Sequence, residues 1–222
     1  MTDIVKDLVE AGKPVGGFIT QDGDEIVGIN SRRALAQAEK ILQRRIARFH
    51  MDHGVSIVDP QNTYIGAEVR IGQDSLIEPF CVIEGKVRIG RDCVVGPFSH
   101  LRDGAVLKDG SEVGNFVEVK KSVIGSLSKA KHLSYLGDAK IGRKVNIGAG
   151  TITANYDGKK KHPTRIGDGA LIGSNTTLVA PVSVGKRAVT GAGSVVLKGR
   201  DVAPGAVVVG VPARVLNNRG KR

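Results

Sequence analysis

The sequence predicts an all-β solenoid, a parallel β-helix of hexapeptide repeats, preceded by a short α/β remnant and a linker helix. Three observations lead there. From Ile65 to Val119 an aliphatic residue occupies every sixth position, through Ile71, Ile77, Ile83, Ile89, Val95, Leu101, Leu107 and Val113. That period suits neither an amphipathic helix nor an alternating strand. Four residues after these positions stand small or slim side chains, among them Val69, Ser75, Cys81, Val87, Cys93, Ser99 and Ala105, so each repeat has two inward positions. Glycine numbers 30, aromatic residues make up 4% and Trp is absent, which fits a narrow aliphatic core with tight corners between short strands. Self-similarity at a fixed period, with Gly often following the aliphatic position, marks a stacked coil.

Residues 1–29 do not repeat. Thr2 suits the cap of a short helix ended by Gly12, and Val15 to Ile29 carries β-like apolar residues broken by a turn at Asp22-Gly23. Residues 30–54 read as the linker helix, with Leu35, Ala38, Leu42, Ile46 and Phe49 along one face and basic residues mostly elsewhere. The coil occupies 55–216. Beyond Val119 its period continues through Ile124, Ala130, Leu136, Ile141, Ile147 and Thr153, then through Ile166, Ile172, Leu178, Val184, Thr190 and Val196. Two steps are one residue short. The step from Thr153 to Ile166 is seven residues too long, which predicts a projecting loop over Asn155 to Pro163. Three rungs make one triangular turn, and about seven turns at ~4.8 Å give a prism on the order of 35 Å long. Residues 217–222 form a basic tail, read as a solvated end.

The formal net charge is +11, which favours polyanionic partners such as nucleic acid, anionic lipid or small phosphorylated ligands. Few aromatic side chains are present to stack on single-stranded bases, so nucleic acid is disfavoured. No apolar run is long enough for a bilayer span and the N-terminus lacks a secretory layout, so a cytoplasmic protein without a membrane partner is expected. Cys81 and Cys93 both fall in the small inward slot and read as core atoms.

Arg102 and Lys120 each directly follow an inward aliphatic residue and lie one 18-residue turn apart. Stacking sets them side by side, where two cations repel by about 1 to 3 kcal/mol unless an anion sits between them. The spacing therefore predicts an anion site. A competing arrangement has Glu84, one turn below Arg102, neutralise it while Lys120 turns to solvent. His132 falls two residues after the inward Ala130 and faces out, with Tyr135 and Glu118 about one turn apart on the same edge. Nearby cations would keep the imidazole neutral, as a general base requires, while a carboxylate would orient it and oppose that shift. Surface decoration stays open as the other reading of a lone exposed His.

Five stretches carry a family resemblance: Asn115-Phe116-Val117-Glu118-Val119-Lys120-Lys121-Ser122, Ser128-Lys129-Ala130, His132-Leu133-Ser134-Tyr135-Leu136-Gly137-Asp138-Ala139, Val145-Asn146-Ile147-Gly148-Ala149-Gly150-Thr151-Ile152-Thr153, and Asn155-Tyr156-Asp157-Gly158. Together they closely resemble the acetyltransferase half of the bifunctional bacterial N-acetylglucosamine-1-phosphate uridyltransferase/glucosamine-1-phosphate N-acetyltransferase. The likeness covers most of residues 55 to 212, while residues 1 to 50 look like the end of that enzyme's nucleotidyltransferase domain and its connecting helix. It implies a left-handed coil, a homotrimer with active sites between prisms, and acetyl transfer from acetyl-CoA to the amine of glucosamine 1-phosphate, on the route to UDP-GlcNAc and the cell envelope. It further implies His132 as the general base supported by Glu118, and Arg102, Lys120 and Lys161 as the phosphate site. Tyr135, Asn146 and Asn155 would position the sugar or the base, and Ala149, Tyr156, Ser174 and Ala192 would contact coenzyme A. The thioester is already reactive, so no metal is needed for this step.

The chain also departs from that family. No Gly-rich nucleotide loop precedes residue 30, so uridylyl transfer is expected to be absent. Asp103 stands where the family has Pro, which would place a carboxylate near the anion site. A coenzyme-contacting Arg lacks a clear counterpart, and Arg214 is the candidate. Rival readings are a hexapeptide acyltransferase for another amino sugar, a zinc enzyme using His100, His132 and His162, and a non-catalytic trimeric scaffold.

Overall fold

The computed structural model describes residues 2–216, and the basic tail at 217–222 lies outside them. The chain divides into two compact units, residues 1–42 and 43–222. In the first, helix α1 (Thr2–Glu10) closes where Gly12 and Lys13 donate their N–H groups to Val9 and Leu8 carbonyls. Helix α2 (Arg32–Asp52) begins with the Ala34 N–H donating to Ser31 Oγ at 3.1 Å. The β-like stretch from Val15 to Ile29 does not form strands. It holds a single 3₁₀ turn, Gly23–Ile26, whose Asp22 carboxylate accepts the Asp24 N–H, and Phe18 and Ile19 are 94% and 90% exposed. A short apolar segment needs a neighbouring sheet to complete its hydrogen bonds, and no strand precedes Ser56 among the described residues.

Only part of the apolar face of α2 is covered. Leu35, Leu42 and Phe49 are exposed, whereas Ala47 and His50 are buried and Ile46 packs against the core. Burial, followed by Arg70 and His53, holds the His50 imidazole below its ordinary pKa. Gln43 Oε1 accepts the Ile65 N–H at 2.9 Å, and the His50 carbonyl accepts the Val55 N–H at 3.1 Å. The last turns of α2 thereby close one end of the coil.

From Ser56 the chain winds around three flat faces. The first face has ten strands, from Ser56–Ile57 to Arg214–Val215; the second has eight, from Tyr64–Ile65 to Val195–Val196; the third has seven, from Arg70–Ile71 to Val182–Val184. Successive strands on each face are parallel, except that Arg214–Val215 runs antiparallel against Val207–Val209. The 24 parallel strands, three to a turn, make about eight turns, one more than the seven expected.

The two inward positions of each rung are where the repeat places them. Ile65, Ile77, Leu101, Val113 and Val119 are at most 1% exposed, and the small slots Val69, Ser75, Cys81, Cys93 and Ala105 are fully buried. Each aliphatic contributes roughly 1.5–3 kcal/mol of transfer energy. Several hydroxyls in the small slots bond to backbone of the next coil, as where Ser75 Oγ donates to Gly90 O and accepts the Cys93 N–H. Both cysteines are free and buried, and burial pushes the Cys81 thiol up to about 11, an inert core group.

The steps that are one residue short fall at the corner between second and third faces, at Lys120-Lys121-Ser122 and Gly137-Asp138-Ala139. Ser122 Oγ donates to Lys120 O and Leu136 O and accepts the Ala139 N–H, which ties the two tightened corners together. The corner between first and second faces carries Phe80, Phe98 and Phe116, all with positive φ, their exposed rings stacked at centroid distances of 4.9 and 5.2 Å.

Candidate active site

The second face pairs Val119 with Leu101 and Lys120 with Gly137, so Arg102, Lys120 and Gly137 form one outward column. This is the juxtaposition that the 18-residue spacing predicts. The predicted loop leaves after Ala154 and rejoins the coil at Thr164. It brings Lys161 close enough to Lys120 to be the main influence on it, and among the described residues neither lysine pairs with a carboxylate. The contact with Lys161, the charge of Lys161 and that of Arg102 push Lys120 below the ordinary lysine range. Three cations from two coils and a loop thus converge on one exposed spot.

Arg102 is held at its other side. Its Nη1 lies 2.7 Å from Glu118 Oε1 and its Nε 3.9 Å from Glu84 Oε1, and the Glu118 hydrogen bond raises its pKa further. Glu84 also receives His100 Nε2 at 3.1 Å. The arrangement in which Glu84 neutralises Arg102 and Lys120 turns away therefore does not hold: Glu118 is the closer partner, and Lys120 meets Lys161.

Above Lys120, side chains converge on Gly137. A Cβ there would lie 2.5 Å from Tyr135 Oη and 2.7 Å from Asn155 Nδ2, so only glycine leaves both groups in place. Asn155 is buried and donates to Asp138 Oδ2 at 2.5 Å. Tyr135 stands directly over Glu118.

His132 ends the strand Lys129–His132 on the first face and is exposed, one corner away from Tyr135. A recess of about 190 Å³ opens beside it, walled by Glu112, Asn115 and Lys131 among others. Continuing up this edge, Ala149, Ser174 and Ala192 lie on successive coils. Asn175 N–H donates to Ala149 O at 2.6 Å and Gly193 N–H to Ser174 O at 2.7 Å. The preceding residues are Gly148, Gly173 and Gly191, so the track above His132 has no long side chain. Arg214 lies on the last, antiparallel strand of this face, opposite Val209. Tyr156 is exposed at the base of the loop, its hydroxyl donating to Gly158 O.

Two sequence expectations change. Asp103 does not face the cations: its Oδ1 accepts the Lys86 N–H at 2.8 Å, binding the corner of the coil below. The three histidines of the zinc reading do not gather. His100 pairs with Glu84 and His162 with Asp157, and among the described residues no three His, Cys, Asp or Glu side chains group to hold a metal. Asn146 lies exposed on the first face, in the column of Lys129 and apart from the cation column of the second face. Sequence reasoning missed Gly137, Asp138 and the His162–Asp157 pair. Gly137 was recoverable, because it follows Lys120 by one shortened turn.

Comparison with known proteins places these features in context. Residues 68–103 and 86–121 match the model described as bacterial transferase hexapeptide (six repeats), and residues 163–198 match the hexapeptide repeat of succinyl-transferase. The bifunctional protein GlmU of Geobacillus sp. (strain WCH70) is 46% identical over 88% of this chain and 50% of its own length. That of Pelobacter propionicus is 45% identical over 100% of the chain and 55% of its own length. The chain spans about half the length of the curated relatives it matches, their C-terminal half. Among solved structures, the UDP-N-acetylglucosamine acyltransferase LpxA from Bacteroides fragilis 9343 superposes with a TM-score of 0.57 at 16% identity, covering 73% of this chain and 69% of that one. It shares the fold.

Proposed function

Because this chain belongs to the hexapeptide-repeat transferases and matches the C-terminal half of the GlmU proteins, we propose that it transfers acetyl from acetyl-CoA to the amine of glucosamine 1-phosphate. The convergence of Arg102, Lys120 and Lys161 carries the reading. Their mutual repulsion is relieved by a dianion, and a sugar 1-phosphate supplies one at a fixed distance from the amine.

In this reading the phosphate rests on the three cations. Tyr135 and Asn155, converging over Gly137, orient the sugar. His132 takes a proton from the amine as nitrogen attacks the thioester carbonyl; the N–C bond forms, the C–S bond breaks, and the proton passes to the departing thiolate. Coenzyme A follows the track of Ala149, Ser174 and Ala192, with Tyr156 and Arg214 as further contacts. Small side chains there let an extended pantetheine arm lie against the coil. A backbone N–H near Gly148 to Gly150 would receive the oxyanion.

The placement of Asn146 supports a homotrimer. It lies in the column of Lys129 on the first face, at the far end of that strand from His132 and its corner, so a second copy is what would bring its amide to a substrate bound at the cations. No helix among the described residues is long and apolar enough to cross a membrane.

The test is to incubate the protein with acetyl-CoA and a panel of amino sugars, with and without the 1-phosphate, and to follow thiol release. Strict dependence on the phosphate is expected. Equal turnover of glucosamine without it would remove the proposed substrate, and turnover of none would favour the scaffold reading.

A further inference from the structure

We infer that His162 and Asp157 form a clasp that sets Lys161 over the anion site, which makes His162 a positioning residue for phosphate recognition. The inference rests on the reading of Arg102, Lys120 and Lys161 as that site.

The loop between Ala154 and Thr164 is a narrow ribbon. Asp157 Oδ1 accepts the N–H groups of Lys159 and Lys160 at 2.9 and 2.7 Å, and the Asp157 N–H donates to Lys160 O, which closes the tip. Tyr156 and Lys161 pair as an antiparallel bridge, and the His162 N–H donates to Asn155 O at 2.7 Å, which zips the base. The second carboxylate oxygen of Asp157 then receives His162 Nε2 at 2.6 Å. Neighbouring residues of an extended segment point to opposite sides. Pinning the His162 ring to Asp157 therefore directs Lys161 to the other side, where Lys120 stands.

A clasp is needed because the resting position of Lys161 is electrostatically unfavourable. Its ammonium meets that of Lys120, with Arg102 beside them, and a free lysine would relax into water. The Lys160 N–H, His162 and the Lys159 N–H together hold the Asp157 carboxyl well below the usual carboxylate range. The anionic half of the clasp is thus charged throughout the neutral range.

The experiment uses full-chain variants His162→Ala, His162→Gln and Lys161→Met, and the double variant with Lys161→Met and His162→Ala. Inorganic phosphate affinity is read by calorimetry, and KM for glucosamine 1-phosphate by thiol release. His162→Ala should weaken phosphate binding and raise KM about tenfold, with kcat within about twofold. His162→Gln, whose amide can donate to Asp157, should recover most of the loss. In the Lys161→Met background, His162→Ala should add less than about twofold. Unchanged phosphate affinity in His162→Ala, or a full additional loss in the double variant, overturns the clasp. So does a parent protein that binds no phosphate. A protein that follows the expected phosphate pattern without acetylating glucosamine 1-phosphate retains the clasp and loses the proposed substrate.

Discussion

Arg102 Nη1 and Glu118 Oε1 lie 2.7 Å apart, so the guanidinium at the lower end of the cation column is held by the carboxylate proposed to support the general base. A bound phosphate competes with Glu118 for the same donors. Glu118→Gln should therefore tighten inorganic phosphate binding about two- to fivefold, the range for releasing an exposed ion pair, while turnover falls. Calorimetry alongside steady-state kinetics checks both, and weaker phosphate binding would contradict the competition.

His132→Ala should leave the fold intact and lose roughly 10² to 10⁴ in kcat, as expected when a general base is removed. KM for the sugar phosphate should change little, because the imidazole stands on another face from the cations. Equal turnover in variant and parent would refute the role.

Lys120 titrates below the ordinary lysine range because Lys161 and Arg102 crowd it. Phosphate affinity needs its ammonium, so affinity should be full below that lowered pKa and decline as pH rises through it. Lys161→Met removes the largest cause and should shift the decline to higher pH while weakening binding overall. A pH series of phosphate dissociation constants reads the shift; an alkaline limb that stays in place would assign the titration to another group.

Gly137→Ala should cost about 10² in kcat/KM with little change in melting temperature. The new methyl meets the far ends of two side chains, Tyr135 and Asn155, rather than backbone, and small displacements of positioning groups are costly. A full-activity variant would show that neither group positions the substrate.

Ile124→Ala, in the core beneath the third face, should destabilise the coil by about 2–5 kcal/mol, read from denaturant midpoints. Phosphate affinity of the folded variant should match the parent, since Ile124 is buried away from the cations.

The coil was legible because its core is one-dimensional: an inward residue recurs at a fixed interval, and register follows by counting. The same counting placed Lys120 over Arg102 and Tyr135 over Glu118. Side-chain choices among close alternatives were not countable. Arg102 has Glu84 directly below it in its own column and Glu118 one turn above in the adjacent outward column, and only reach and angle select Glu118. Asp103 points down its corner because the Lys86 N–H there lacks another partner within the turn. Outside the repeat, apolar content at Val15 to Ile29 resembled strand composition, yet strands depend on neighbours that composition does not reveal.

Both ends of the prism are occupied. The last turns of α2 meet one rim, where Gln43 takes the Ile65 N–H, and Arg214–Val215 runs backwards across the other. A stack of parallel strands with bare rims would template copies of itself and grow into fibrils. A reversed strand is a poor template for the next coil, and a glutamine side chain quenches a donor that another molecule would otherwise seek. The same repeat that makes the coil easy to extend thus carries a stopper at each rim.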